Sequence, residues 1–360
     1  MAVVAMAVLG ALVAGVFFTA LREQRDGRDS VNRVRALAVA EYGLATATSP
    51  DSWRPSWNIT ASRGPLHVFS YDPGPGTSDT VRLWKLERNS FLLASTGVAG
   101  PAVSRAIRRI SLLVTLRIPL LTARAAVIAM NGAAVGDSSL ISGVDSVPPD
   151  WNCPPADDER PGVMAPAASL VDYGACTVVP CLVGTPPVMV DSAAADADTY
   201  ERFGAVDRDS IASAAVQLAD GVVLSAPAPS LDVAGECDAS QVDNLGDPSR
   251  LLGAESPCAD YFPVLHAPGN MRIEGGAGQG VLLVDGDLAI AGRARFSGVA
   301  AVRGVLEITE HSELRGVILA SRVIVHGGSH ARYSSCAADR ALRSAAVPVV
   351  PEGLAWSEMY

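Results

Sequence analysis

The sequence predicts a mainly β protein: an N-terminal transmembrane α-helix, a small antiparallel β meander, then a short parallel β-helix of 18-residue coils with a disulfide-stapled insertion. Three observations carry this. An uncharged run opens the chain from Met1 to Leu21. Ile110, Leu112, Val114, Leu116 and Ile118 fall on every second residue, a period of two. Gly280-Val281, Gly298-Val299 and Gly316-Val317 recur every 18 residues. A short fixed period with apolar residues at one phase is the signature of stacked repeats.

The run from Met1 to Leu21 matches the roughly 20 apolar residues that a helix needs to cross a bilayer. A cleaved signal would show a basic start and a small-residue cleavage site, and neither is clear. The run passes directly into Arg22-Glu23-Gln24-Arg25-Asp26-Gly27-Arg28-Asp29. Beyond that, Val31, Val34, Leu37, Ala38, Glu41 and Leu44 keep helical spacing. One helix over 1–47, half in lipid and half in water, accounts for both parts. Arg22, Arg25 and Arg28 after the span favour a cytoplasmic domain, whereas the cysteines favour an oxidising compartment. The expectation that reconciles them is a set of basic residues upstream of Met1.

Residues 48–124 read as the meander. His67 to Tyr71 and Thr80 to Leu86 are strand-like and flank the turn Asp72-Pro73-Gly74-Pro75-Gly76, with Phe91 to Ser95 following. The repeat fixes the coils at 269–336: Val284, Val302 and Ala320 share a phase, as do Leu288, Leu306 and Ile324. Ala126 to Asp137 loosely matches that pattern, giving a first coil at 125–145. Residues 146–268 become an insertion, too long to be structureless, with Asp191 to Leu224 as its helical part. A capping tail is expected over 337–360, in which Ala337 to Ala345 is a short helix and Trp356 covers the last coil.

Cys153, Cys176, Cys181, Cys237, Cys258 and Cys336 are even in number and form no C-x-x-C pair, which argues for staples and against zinc. Six cysteines allow 15 pairings. Local proximity favours Cys176–Cys181 and Cys237–Cys258. Cys153–Cys336 would tie the insertion to the final coil.

The 360-residue chain has a net charge of −10 and a single lysine, Lys85. That balance argues against nucleic-acid partners, which need a basic face. β-Helices host glycan-cleaving enzymes, so the acids matter. Asp285 and Asp287 have no carboxylate in phase in the next coils, which hold Arg303, Ser321, Val305 and Val323. Arg295 stacks over Glu313 as a surface ion pair. His311, His326 and His330 have no acid or cysteine in phase. Asp191, Asp196, Asp198, Asp207 and Asp209 lack the spacing of a calcium loop. Gly275 to Gly280 is glycine-rich but leads into a strand, unlike a phosphate cradle. The expectation is no catalytic residue, no metal and no cofactor.

Arg22-Glu23-Gln24-Arg25, followed by Val34-Arg35-Ala36-Leu37-Ala38-Val39-Ala40-Glu41-Tyr42-Gly43-Leu44, resembles the N-terminal region of PilX-type pilus assembly proteins, which are similar to minor type IV pilins. Gly280 to Leu288 and Tyr333-Ser334-Ser335-Cys336 resemble the β-helical ectodomain of PilX-like envelope proteins. Members of that family carry a short basic leader with a glycine cleavage point, and processing is not read from this chain. The resemblance implies a non-enzymatic structural component of a bacterial envelope, anchored in the inner membrane with its domain outside, and partnered by pilus or envelope subunits. A membrane-anchored β-helical adhesin that binds a surface glycan is the alternative. A cytoplasmic scaffold resembling bactofilins is a third reading, which oxidised cysteines would exclude.

Overall fold

The computed structural model describes residues 2–49, 52–54, 57–58, 63–87, 89–121, 123–153, 159–176, 180–253, 255–350 and 356–359. Strand accounts for 40% and helix for 23%, so the fold is mainly β despite a 46-residue N-terminal helix. The chain divides into two compact units: residues 1–53, 61–116 and 348–360, and residues 54–60 and 117–347.

In the first unit, helix α1 (Ala2–Ala47) runs over an antiparallel sheet of β1 (Gly64–Tyr71), β2 (Thr77–Glu87), β3 (Ser90–Ala99) and β4 (Ala106–Arg117). Alternation sends Val81, Leu83, Phe91, Leu93, Ile110 and Val114 to one buried side. Ala36, Val39, Ala40, Leu44 and Ala47 of α1 are buried as well. Helix and sheet approach closely where side chains vanish. A Cβ on Gly97 would collide with the Ala36 carbonyl, and one on Gly43 with the Asp79 carboxylate. The predicted membrane span falls in part outside the described residues. Among those described, no helix is long and apolar enough to cross a membrane.

The tail differs from expectation. Val347–Val349 and Trp356–Met359 pair with β4, Trp356 lying opposite Leu112 in antiparallel register. The unsatisfied edge of an antiparallel sheet recruits this tail by backbone hydrogen bonding. The short helix expected before it is present as Ser335–Ser344.

In the second unit, successive passes of chain stack with parallel pairing. Gly280, Gly298 and Gly316 are in register, as are Val281, Val299 and Val317, and Leu288 and Leu306. These glycines have φ of 127° to 149°, and a Cβ on Gly298 or Gly316 would strike the carbonyl of the glycine one pass away. The layer opened by His330–Tyr333 is completed by Val127–Ala129 and Ala133–Val135. The early segment 125–142 therefore follows the last repeat in space. Residues 146–268, expected as an insertion, supply strands at both ends of the stack. Val163–Ala165, Leu182–Val183 and Val188–Val190 extend one end. Val216–Gln217, Val222–Ser225 and Val264–Ala267 extend the other. Between Asp191 and Leu224 the predicted helix is broken into a 3₁₀ turn (Ser192–Ala195), α2 (Asp198–Glu201) and α3 (Arg208–Ser213), with strand after them.

The stacked strands are buried on both sides. Leu282, Ala300 and Ile318 point into an inner core with Val127 and Val163. Val281, Val299 and Val317 point outward, where Trp151, Phe203, Ile211, Phe262 and α4 (Ser335–Ser344) cover them. Asn58 closes the far end of α4 by donating to the carbonyls of Ser344 and Ala346 at 3.1 Å.

Side chains at the corners satisfy backbone groups from one layer to the next. Ala294, Ser312 and Ser329 donate their N–H groups to the hydroxyls of Ser312, Ser329 and Ser139, at 3.2, 3.1 and 3.0 Å. At another corner Asn270, Asp287 and Val305 donate to Asp220, Asn270 and Asp287, at 2.9, 2.8 and 2.7 Å.

Candidate interaction surfaces

Asp285 is the centre of the charged cluster with most partners in the stacked unit. Arg208 of α3, 1% exposed, reaches it at 2.6 Å; Arg303 reaches it at 3.1 Å and His266 at 3.1 Å. Arg303 also grips Glu201 of α2 through two hydrogen bonds of 2.9 Å. His266 meets Gln217 through its other ring nitrogen at 2.8 Å. Burial opposes ionisation of Asp285, yet the hydrogen bonds from Arg208 and His266 and the nearby arginine charges hold its carboxyl below the usual range. Arg208 keeps one donor unspent: its Nη2 is buried with no hydrogen-bond partner. The cluster ties α2 and α3 to the stacked strands.

The other acids and histidines singled out in the sequence are also engaged. Asp287 caps backbone groups, as above. Asp191 accepts from Ala193 at 2.8 Å and pairs with Arg124. Asp207 accepts from Ser210 at 2.6 Å and caps α3. Asp196 accepts from the Asp198 N–H at 3.0 Å, while Asp198 and Asp209 lie within 3.7 Å of Arg202 and Arg303. His326 meets Glu307 at 2.8 Å. Burial first, then Arg332, pushes His330 below its ordinary range. His311 sits at a corner with φ of 61°. Glu313, expected opposite Arg295, is in register with it, but its ion pairs go to Arg315 at 2.7 Å and Arg332 at 3.2 Å. Those two side chains lie on the same outer row and reach the carboxylate more directly. Among the described residues no group of three or more His, Cys, Asp or Glu has the geometry of a metal site.

The cysteines form three bridges: Cys153–Cys336, Cys176–Cys181 and Cys237–Cys258. The first ties the loop after the 140–142 strand to the start of α4. The third is organised by Asn244, whose amide donates to Ser230 and Asp238 carbonyls at 3.1 and 2.8 Å.

The least satisfied surface is on α1. Met6, Leu9, Leu12, Val13, Val16, Phe17 and Phe18 are each 61% to 76% exposed. The run that holds them has no charged residue on any side, and a helix apolar all round needs an apolar surrounding. Farther along, Val31, Val34 and Tyr42 are 50% to 66% exposed on the side away from the buried stripe.

No protein-family profile matches the chain, and no curated protein matches it in sequence. Among solved structures, the competence-associated pilin ComZ from Thermus thermophilus is similar at 12% identity and a TM-score of 0.27, over 91% of this chain and 97% of that one. A TM-score of that size does not establish a shared fold.

Proposed function

We propose that this protein is a non-enzymatic structural component of a bacterial cell envelope, minor-pilin-like, with its N-terminal helix in a membrane or fibre and its domains outside the cytoplasm. The observation that carries the reading is the asymmetry of α1. Its C-terminal part buries Ala36, Ala40, Leu44 and Ala47 against a sheet, while its N-terminal part exposes Leu9, Leu12, Val16 and Phe17 without cover. An apolar run of this length fits lipid tails or the helices of neighbouring subunits. Three disulfides suit an oxidising compartment. The stacked unit, on this reading, is a parallel β-helix with short strands and side-chain ladders at its corners.

Fractionation of the native host tests the proposal. The chain is expected in carbonate-washed membranes or sheared fibres, with no thiol labelled before reduction. Recovery in the soluble cytoplasm with reactive thiols would refute it and favour a cytoplasmic scaffold.

A second reading, a membrane-anchored adhesin, draws on a shallow cavity of 280 Å³ on the outer side of the stack, where Asn270, Arg272, Asp287 and Glu307 converge. Polar planar side chains over a flat strand surface suit a glycan. Isothermal titration with envelope oligosaccharides decides it: no heat, and no loss of heat in Arg272→Ala, leaves the structural role alone.

A further inference from the structure

We propose that a groove on α1, just past the apolar run, binds the phosphate headgroup of an anionic phospholipid; this rests on the membrane-anchor reading above. Arg25, Arg28, Asn32 and Arg35 fall at i, i+3, i+7 and i+10, on one stripe of the helix. That stripe faces the turn around Pro101, Val103 and Ser104, and together they enclose 1010 Å³. The lining holds three arginines against one acid, Asp29. Arg25 and Asp29 stand four apart, yet among the described residues Arg25, Arg28 and Arg35 make no ion pair. Glu23 and Asp26 lie off the lining.

The groove is built rather than incidental. Asn32, 8% exposed, donates through its side-chain amide to the Ser104 carbonyl at 2.9 Å and fixes the turn against the helix. Gly100 lets the two come close, since a Cβ there would press on the Asn32 amide and the Ser104 carbonyl at 2.7 Å. At the tip, Val103 is 95% exposed, an apolar side chain beside a cationic cleft. At 1.5 Å per residue, Arg25 and Arg28 lie about 6 and 10 Å beyond Leu21. A bilayer leaflet carries about 5–8 Å of headgroup region outside its hydrocarbon. Arg25 thus stands at phosphate level when residues up to Leu21 are in the hydrocarbon, and Arg28 lies just outside it, within reach of its long side chain. Planar guanidinium groups match phosphate oxygens in pairs, and a lipid phosphate supplies the missing counter-charge.

The test is co-flotation of the full chain with vesicles of phosphatidylcholine alone and with vesicles containing about one-third phosphatidylglycerol. Wild type should float with both and prefer the anionic vesicles, the preference falling as salt rises. Arg25→Gln with Arg28→Gln should lower the anionic preference about tenfold or more and leave phosphatidylcholine binding intact. Arg22→Gln with Arg33→Gln, which removes equal charge outside the groove lining, should lower it by only about twofold. Equal losses in the two pairs would mean diffuse attraction and overturn the groove. Inorganic phosphate that abolishes the preference, where chloride of equal ionic strength does not, would also overturn it in favour of a free anion. Failure of wild type to float with phosphatidylcholine would instead overturn the anchor reading itself.

Discussion

Ser329 donates its backbone N–H to the hydroxyl of Ser139, 3.0 Å away and 190 residues earlier in the chain. Both are fully buried. The contact joins the last repeat to the segment that continues it in space, so it couples adjacent layers drawn from distant parts of the chain. The next contact in the ladder differs. Ser312 donates to Ser329 at 3.1 Å but also to the Thr309 carbonyl at 3.2 Å. Ser139→Ala should therefore strand a buried N–H and cost about 1–3 kcal/mol, whereas Ser329→Ala should cost about 1 kcal/mol or less at the Ser312 position. Denaturant melts compare them, and equal losses would mean that the Thr309 contact does not stand in for the hydroxyl.

Corner geometry gives a pair of opposite expectations. Glu310 and His311 have φ of 59° and 61°, and one layer on Gly327 and Gly328 have 65° and 73°. The same left-handed corner is thus made once with side chains and once without. His311→Gly should stabilise by about 0.5–1 kcal/mol, because the left-handed backbone costs a side-chain-bearing residue about that much. Gly328→Ala should destabilise by about 1 kcal/mol or more, since its Cβ would also crowd His311 and Ser138. A thermal melt in which both variants move the same way would contradict the corner description.

Two aspartates carry opposite pH signatures. Asp79 is 2% exposed beneath Gly43; its one hydroxyl partner, Ser95, is at 2.7 Å, and its second oxygen has no hydrogen bond. Burial raises its pKa. The folded form then holds the proton more tightly, so stability falls as pH rises from about 4 through the folded value. For Asp285 the folded pKa is depressed, so its contribution is present above about 4 and lost as pH falls through the folded value. Asp79→Asn should stabilise residues 77–99 at neutral pH and flatten that slope; Asp285→Asn should destabilise the stacked unit at neutral pH and have little effect in strong acid. Hydrogen exchange at several pH values reads each unit separately.

Arg208 makes the stronger demand on its surroundings. Its side chain is 2% exposed against Asp285, which is 24% exposed. Arg208→Ala should cost about 2–3 kcal/mol, less than a fully buried pair because water reaches the carboxylate. Arg303→Asp should also be damaging: it would place a carboxylate among Glu201, Asp209 and Asp285. Val302→Asp should cost more than either, burying an unpaired charge in the inner core. The rank order of melting temperatures tests all three.

The repeat was legible because Gly280, Gly298 and Gly316 must be bare for one pass to approach the next, and their spacing survives in the sequence. The strands at 163–165, 171–172 and 182–183 were not, because two or three residues carry no period. That 127–142 follows 330–333 in space has no local signal either, since parallel neighbours are chosen by the free edge of the stack. Arg208 could have been found only by asking what neutralises Asp285. The corner serines Ser139, Ser312 and Ser329 acquire their meaning only from the stacking order. The tail was misassigned because Trp356 reads as an apolar cover equally well for a stack end or a sheet edge.

The three disulfides close loops of very different length, 183, 21 and 5 residues. In the chain-entropy account, a cross-link stabilises by narrowing the unfolded ensemble, more so for longer loops. That gives about 5 kcal/mol for Cys153–Cys336, about 3 for Cys237–Cys258 and about 2 for Cys176–Cys181. The native contacts point the same way for the first: Cys336 begins α4, whose Ala337, Ala338, Ala341 and Leu342 cover the outward valines of three layers. Paired Cys→Ser variants should lose stability in that order in urea melts of the stacked unit. If removing Cys176–Cys181 cost as much as removing Cys153–Cys336, loop length would not be the controlling term, and the short bridge would have to be locking a local structure that the unfolded chain does not form.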